Sequence, residues 1–188
     1  GELYVGCAGG EDAIVKFDYK EKKTPKGYGG VKLSVTGLKG GHSGIDISLG
    51  RGNANKIFFR ILAEAACELG VRLSSVEGGS LRNAIPREAF GLLAVKNKKI
   101  AEFVTLVDNL VGVMKRELSV TEPDLTVTIE PVDAPKTVIN RKVQDRLTKA
   151  ILVCPNGVMR MSDNMPGLVE TSSNLATVKS DEKKKTIS

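Results

Sequence analysis

The sequence contains no tryptophan and a single histidine, His42, among its 188 residues. Catalytic zinc sites take several ligands and commonly use histidine, and one imidazole cannot supply such a set. The motifs HExxH, HxD and CxxC are also missing, and the three cysteines, Cys7, Cys67 and Cys154, are far apart in the chain. We therefore expect this chain alone to hold no metal ion, and its isolated thiols are typical of a reduced, cytoplasmic protein.

Aromatic residues are also scarce, at 4% of the chain, although the formal net charge is +6. Clustered lysine and arginine can neutralise nucleic-acid phosphates, but much of the excess lies in two short runs, Lys20–Lys26 and Lys183–Lys185. We interpret these runs as solvated surface charge and expect no nucleic-acid partner; binding of nucleic acid through the basic surface is the alternative. No apolar run approaches the length of a membrane-spanning helix, so we expect no membrane partner either.

Hydrophobic periodicity predicts the order strand, helix, strand, strand, helix, strand across the middle of the chain. The predicted strands cover Val31–Val35, Val71–Val76, Arg87–Val95 and Leu125–Ile129, and the predicted helices follow Asn53 and Asn97. Asn53 is the expected N-cap of the first helix, and Gly70 is its expected stop. This order predicts an α+β fold, a ferredoxin-like split βαβ sandwich in which an antiparallel sheet carries two helices on one face.

The flanking segments predict additional elements and a division into three parts. Two strands are predicted over residues 2–8 and 13–19, and a third helix over Ile139–Val153. Further strands are predicted at Val158–Met161, Val169–Val178 and Thr186–Ser188. We therefore expect boundaries that give segments 1–25, 26–134 and 135–188, the last an incomplete helix-and-strand extension. Because the chain begins and ends within such patterns, we expect it to be part of a longer polypeptide.

His42 is the first candidate functional residue, because it lies within the glycine-rich stretch GLKGGHSG. Glycines permit unusual dihedral angles and a close approach of a ligand. An imidazole N–H could then be offered to a developing oxyanion. The stretch lacks the GxSxG motif of a nucleophile elbow and the spacing and lysine of a phosphate-binding loop. The alternative interpretation is that His42 is an ordinary surface histidine in a hinge loop.

Asn83 is the second candidate, in LRNAIP between two predicted strands. Its side-chain amide could bind a carbonyl or carboxylate of a substrate. Asparagine ahead of a turn that contains proline also commonly satisfies its own backbone. The residues alone leave both interpretations open.

Several motifs resemble those of a known enzyme family. They are ELYVGCAGGED, GLKGGHSG, RGNANK, GGSLRNAIPREA, PNGVMRMSD and VETSSNLATV, and they span essentially the whole chain. Together they are similar to the central region of the carnosinase-like aminoacyl-histidine dipeptidases of the M20 metallopeptidase family.

The resemblance implies a two-zinc catalytic domain with an inserted lid domain that serves in dimerisation. It also implies that the metal ligands and the general base lie outside this chain, with residues 1–25 at the junction, so the chain alone should be inactive and bind neither zinc ion. His42 would hydrogen-bond the substrate carbonyl and the oxyanion, and Asn83 would contact the substrate. The implied partners are an X-His dipeptide, a second copy of the lid and the catalytic domain. The alternative is a free-standing ferredoxin-like module that binds a small molecule or mediates regulatory dimerisation.

Overall fold

The computed structural model describes residues 9–188, so the strand predicted over residues 2–8 lies outside the described residues. Within that range the helices are α1 (Ala54–Glu68), α2 (Ile100–Glu117) and α3 (Arg141–Val153). The strands are β1 (Phe17–Asp18), β2 (Glu21–Lys23), β3 (Tyr28–Thr36), β4 (Gly41–His42), β5 (Arg72–Gly78), β6 (Ala84–Ile85), β7 (Ala89–Lys96), β8 (Thr126–Val132), β9 (Thr137–Ile139), β10 (Gly157–Met161), β11 (Val169–Ser173), β12 (Val178–Asp181) and β13 (Thr186–Ile187). None of the helices in this range is both long and apolar enough to cross a membrane.

Seven of these strands form one sheet in the order β1-β13-β12-β5-β7-β3-β8, and every pairing in it is antiparallel. The four strands β5-β7-β3-β8 have the ferredoxin-like order, because α1 connects β3 to β5 and α2 connects β7 to β8. Helices α1 and α2 contact each other and the sheet, and α3 packs beside α1. The predicted α+β sandwich is therefore confirmed, with a third helix on the same face.

Helix α1 illustrates how the sequence determines this layer. The side chain of Asn53 accepts a hydrogen bond from the backbone N–H of Lys56 at 3.2 Å, which confirms the expected N-cap. Gly70 follows the helix with a φ of 70°, a left-handed conformation that suits glycine. Between these ends, a stripe of fully buried side chains that includes Phe58 and Leu62 faces the sheet.

The ring of Phe58 explains a glycine in the middle of β7. A Cβ atom at position 91 would lie 2.2 Å from the Cζ atom of Phe58, so only glycine leaves room for the ring. The aromatic side chain and the missing Cβ therefore bring α1 close to the sheet at its centre.

The flanking segments on both sides of the ferredoxin-like part differ from their prediction in three places. The single strand expected over Val169–Val178 was wrong, because β11 pairs with β10 in a hairpin whereas β12 pairs with β5 in the main sheet. The strand expected over 13–19 is reduced to β1, which pairs with β13. The basic run Lys20–Lys26 contains β2, which pairs with β9 although its sequence, EKK, has no apolar alternation. The third helix is confirmed and begins at Arg141, two residues later than expected.

Candidate functional site

The structure brings His42 and Asn83 together at one end of the sheet. The loop between β3 and α1 contains β4, which pairs with β6 in register Gly41↔Ile85 and His42↔Ala84. The backbone N–H of Ser43 donates to the carbonyl oxygen of Asn83 at 2.9 Å. Both candidate side chains are exposed. Two residues 41 positions apart in the sequence therefore present their side chains from adjacent, paired segments.

Hydrogen bonds to the imidazole of His42 determine which nitrogen carries its proton. The backbone N–H groups of Gly44 and Ile45 donate to Nδ1 at 3.0 and 3.2 Å. A nitrogen that accepts two N–H groups carries no proton, so the neutral ring is protonated on Nε2. No partner for Nε2 lies within the part of the chain that the structure describes. The ring therefore offers an N–H donor to an external acceptor.

A second set of hydrogen bonds, between the backbone of His42 and Asp46, stabilises the loop around His42. The N–H of His42 donates to Oδ2 of Asp46 at 2.8 Å, and the N–H of Asp46 donates to the carbonyl oxygen of His42 at 3.0 Å. Arg51 donates to the carbonyl oxygen of Gly40, and its Nη1 lies 3.4 Å from Oδ2 of Asp46. These bonds hold the backbone on which the imidazole is mounted.

The same ion pair explains the glycine that precedes His42. Gly41 has a φ of 142°, and a Cβ atom there would lie 2.2 Å from Nη1 of Arg51 and 2.6 Å from Oδ2 of Asp46. Glycine at this position leaves room for the arginine and the aspartate to meet. The glycine at position 41 is therefore required by close packing as well as by its backbone conformation.

A cleft of about 290 Å³ lies beside the loop. Its lining includes Arg51, Ile85 and Asn156, together with part of the turn after His42. The cleft therefore combines an apolar wall with a guanidinium and an amide, a composition suited to a small polar ligand.

Asparagines from three of the quoted motifs, RGNANK, PNGVMRMSD and VETSSNLATV, form hydrogen bonds next to this cleft. Nδ2 of Asn53 donates to Oδ1 of Asn156 at 2.8 Å and to the carbonyl oxygen of Leu175 at 3.1 Å. The N–H of Leu175 donates to the same Oδ1 at 3.0 Å. Nδ2 of Asn174 donates to the carbonyl oxygen of Ala84 at 2.8 Å, immediately after Asn83. The segment between β11 and β12 is therefore bound to both the start of α1 and the Asn83 loop.

Lys56 attaches the end of α3 to the same region. Its ammonium donates to the carbonyl oxygens of Ile151 at 2.7 Å, Leu152 at 3.1 Å and Cys154. Burial lowers the pKa of Lys56, and the carbonyl oxygens that it caps belong to the last turn of α3 and the residue that ends it. The lysine of RGNANK thus acts as a helix cap.

Sequence reasoning selected His42 and Asn83 but missed Asp46, Arg51 and Asn156. These residues bond to backbone groups and to one another across long stretches of chain, so no local spacing marks them. Their membership of the motifs HSGID, RGN and PNG was the available signal.

The described residues do not fit a metal centre. Within residues 9–188 no group of three or more histidine, cysteine, aspartate or glutamate side chains could hold an ion. Asp12, one of two acidic residues near the start of this range, forms an exposed ion pair with Arg82. A family metal would therefore need ligands from elsewhere in a longer polypeptide.

Comparisons with known proteins agree with this architecture. Residues 26–122 match the M20 family model described as a peptidase dimerisation domain. The cytosol non-specific dipeptidase of Escherichia coli (strain K12) is 43% identical over 178 residues, which are 95% of this chain and 37% of that protein. The crystal structure of aminoacylhistidine dipeptidase from Vibrio alginolyticus superposes with a TM-score of 0.88 at 42% identity, over 92% of this chain and 35% of that one.

The chain thus spans little more than a third of the length of either relative. The family model covers β3, β5 and β7, both helices α1 and α2, and the loops that carry His42 and Asn83, and it ends just before β8. The chain belongs to the M20 peptidase family, and its centre is the dimerisation domain of that family.

Proposed function

We propose that this chain is the lid and dimerisation region of a metal-dependent dipeptidase, in which His42 donates a hydrogen bond to the scissile carbonyl and to the oxyanion formed from it. The observation that carries the proposal is the pair of backbone N–H groups on Nδ1, which leaves the proton on Nε2 of this exposed residue. Asn83 is the proposed substrate contact, because its backbone is bonded to the residue after His42.

The proposed chemistry follows from the charge that appears during peptide-bond hydrolysis. Attack of water on the carbonyl carbon moves negative charge onto the carbonyl oxygen, and a fixed N–H donor stabilises that charge most in the transition state. His42 acts as a donor and keeps its proton, so its imidazole needs no relay partner. We infer that the metal ions, zinc by family resemblance, bind to residues outside this chain, and we assign no step to them here.

The substrate class is proposed from the two relatives. One is named a non-specific dipeptidase and the other an aminoacylhistidine dipeptidase. We propose dipeptides as substrates, with X-His dipeptides among them. The Escherichia coli relative is named a cytosol enzyme, and we propose the same compartment, which fractionation of the source cells would test.

The function is tested by assaying an X-His dipeptide with two polypeptides, this chain and a longer product of its gene. We expect hydrolysis by the longer polypeptide only, abolished by a chelator and restored by zinc. Activity of this chain alone would show that the catalytic groups are misassigned. A longer polypeptide that is folded and loaded with metal but inactive on dipeptides would favour the binding-module alternative.

We also infer that two copies associate through this domain, at the outer edge of β8. This strand ends the sheet, and within the described residues its outer side is unpaired. Pro131 lies opposite Val31, and since proline has no N–H to donate, we infer that its backbone position faces away from β3. By alternation, the N–H groups of Val127 and Ile129 face away as well. A second copy of β8 could pair with this edge in antiparallel fashion.

Sedimentation equilibrium is expected to give twice the 20.1 kDa mass of the chain. Val127→Pro removes an outward N–H group and should shift the equilibrium to monomer while far-UV circular dichroism is retained. A monomer for the unmodified chain at about 100 µM, or a dimer unaffected by the proline, would contradict this interface.

A further inference from the structure

A buried carboxylate lies at the base of the loop that carries His42. Glu122, in the turn between α2 and β8, is only 1% exposed. Its Oε2 accepts a hydrogen bond from the N–H of Lys39, and its Oε1 accepts one from the N–H of Gly52, both at 2.8 Å. Both oxygens of this carboxylate are thus engaged by backbone donors.

The two donors are the ends of one segment. Lys39 follows β3 and Gly52 precedes α1, so the fourteen residues from 39 to 52 contain β4 and His42. A single carboxylate therefore joins the two ends of the loop. Hydrogen bonds to an ionised acceptor are roughly twice as strong as neutral ones, and a donor left unpaired at a buried site costs about 1–3 kcal/mol.

Packing at the same point leaves little freedom for the loop to shift. A Cβ atom at Gly52 would lie 3.0 Å from Cδ2 of Leu38 and 3.2 Å from both Cγ of Glu122 and Cδ1 of Leu118. The base of the loop is thus closely packed as well as hydrogen-bonded. Inside the loop, Asp46 adds the second connection to the backbone of His42.

We propose that Glu122 is a positioning residue that holds the His42 loop in the geometry needed for oxyanion stabilisation. The proposal rests on the function assigned above to His42. Glu122 is buried and its carboxylate bonds to the two ends of the loop, so it acts through the placement of the imidazole. A displacement of about 1 Å in a catalytic group can cost up to a hundredfold in rate, and a loosened loop would allow such displacements.

The test uses Glu122→Gln in the longer, metal-loaded peptidase. The amide keeps one oxygen acceptor but turns an NH₂ group toward one of the two donors, so one end of the loop is released. We expect kcat to fall about tenfold with KM changed less than twofold. In a His42→Ala background the same substitution should lower kcat no further, because it acts only through that side chain.

The matched control is Glu117→Gln. Glu117 lies at the end of α2, where its exposed carboxylate pairs with Arg60 at 2.7 Å, and its loss should leave kcat unchanged. If Glu122→Gln folds poorly, Gly52→Ala provides a second variant, because the added methyl group presses on the base of the loop without altering the carboxylate. The same tenfold loss is expected from it.

Amide hydrogen exchange in the unmodified peptidase and in Glu122→Gln gives a readout independent of activity. The N–H groups of Gly44 and Ile45 bond to the imidazole, so their exchange should be at least tenfold faster in the variant. Unchanged exchange, or an equal loss of kcat with and without His42, would overturn the positioning role. Normal kcat in His42→Ala would instead overturn the proposed function of the histidine, and the catalytic role of Glu122 with it, while the exchange rates still decide whether the carboxylate holds the loop.

Discussion

Replacement of His42 by alanine is expected to lower kcat of the longer peptidase by about a hundredfold to a thousandfold, the usual cost of losing one oxyanion donor. The reason is geometric, because two backbone N–H groups fix the ring at Nδ1, and Nε2–H is a donor with no partner among residues 9–188. Steady-state kinetics on an X-His dipeptide gives kcat and KM, and metal analysis of the same sample should show full occupancy.

Two further variants separate the role of His42 from general damage to the site. His42→Gln retains an N–H donor of similar reach and should keep more activity than alanine. Asn83→Ala removes the proposed substrate contact and should raise KM more than it lowers kcat, since binding lost equally from ground and transition states appears in KM. A kcat for His42→Ala within threefold of the unmodified enzyme would disprove the assignment.

The ferredoxin-like part of the fold was predictable because its periodicity is strong. Helix α1 has a capping asparagine at one end, a glycine in the left-handed region at the other, and a stripe of buried side chains between them. Such local signals determine an element without knowledge of its neighbours. The strand order then follows from the order of elements in the chain.

The flanking segments were less predictable because their elements depend on distant partners. Strand β2 has the sequence EKK, and it is a strand only because β9, more than a hundred residues later, pairs with it. The strand predicted over 169–178 divides in two because Asn174 and Leu175 bond across to Ala84 and Asn156. The division into segments 1–25, 26–134 and 135–188 stays a prediction, although β12 and β13 lie in the same sheet as the central strands.

Some residues of the candidate site could likewise be predicted from the sequence, and others could not. His42 and Asn83 could be selected as candidates because they lie in GLKGGHSG and LRNAIP, motifs that resemble those of the family, whereas the residue types alone left ordinary surface and turn roles open. Glu122 could not, because a single glutamate after a helix resembles any surface residue until burial and its two donors are known. Residues that hold a site by bonding to backbone leave no residue-type pattern in the sequence.

The largest expected effect on stability is that of Asn53→Ala. The substitution removes the N-cap of α1, worth about 1 kcal/mol, and it also removes the donor to Asn156 and Leu175. Asn53 is only 4% exposed, so water has little access to replace these two hydrogen bonds, while Oδ1 of Asn156 still accepts from the N–H of Leu175. Each lost hydrogen bond costs about 0.5–1.5 kcal/mol. We expect the free energy of unfolding to fall by about 2–4 kcal/mol.

Urea denaturation measures this loss as a lower midpoint at an unchanged slope. Asn53→Ser keeps a capping oxygen and lacks the side-chain NH₂ group that reaches Asn156 and Leu175, so the difference between serine and alanine isolates the cap. Asn109→Ala, at an exposed position on α2, is the matched control and should change stability by less than about 0.5 kcal/mol. A loss below about 1 kcal/mol for Asn53→Ala would mean that water replaces the missing donor. Asn156 and Leu175 would then not depend on Asn53, and the cleft beside His42 would be held together mainly by the bonds of Asn174, Arg51 and Glu122.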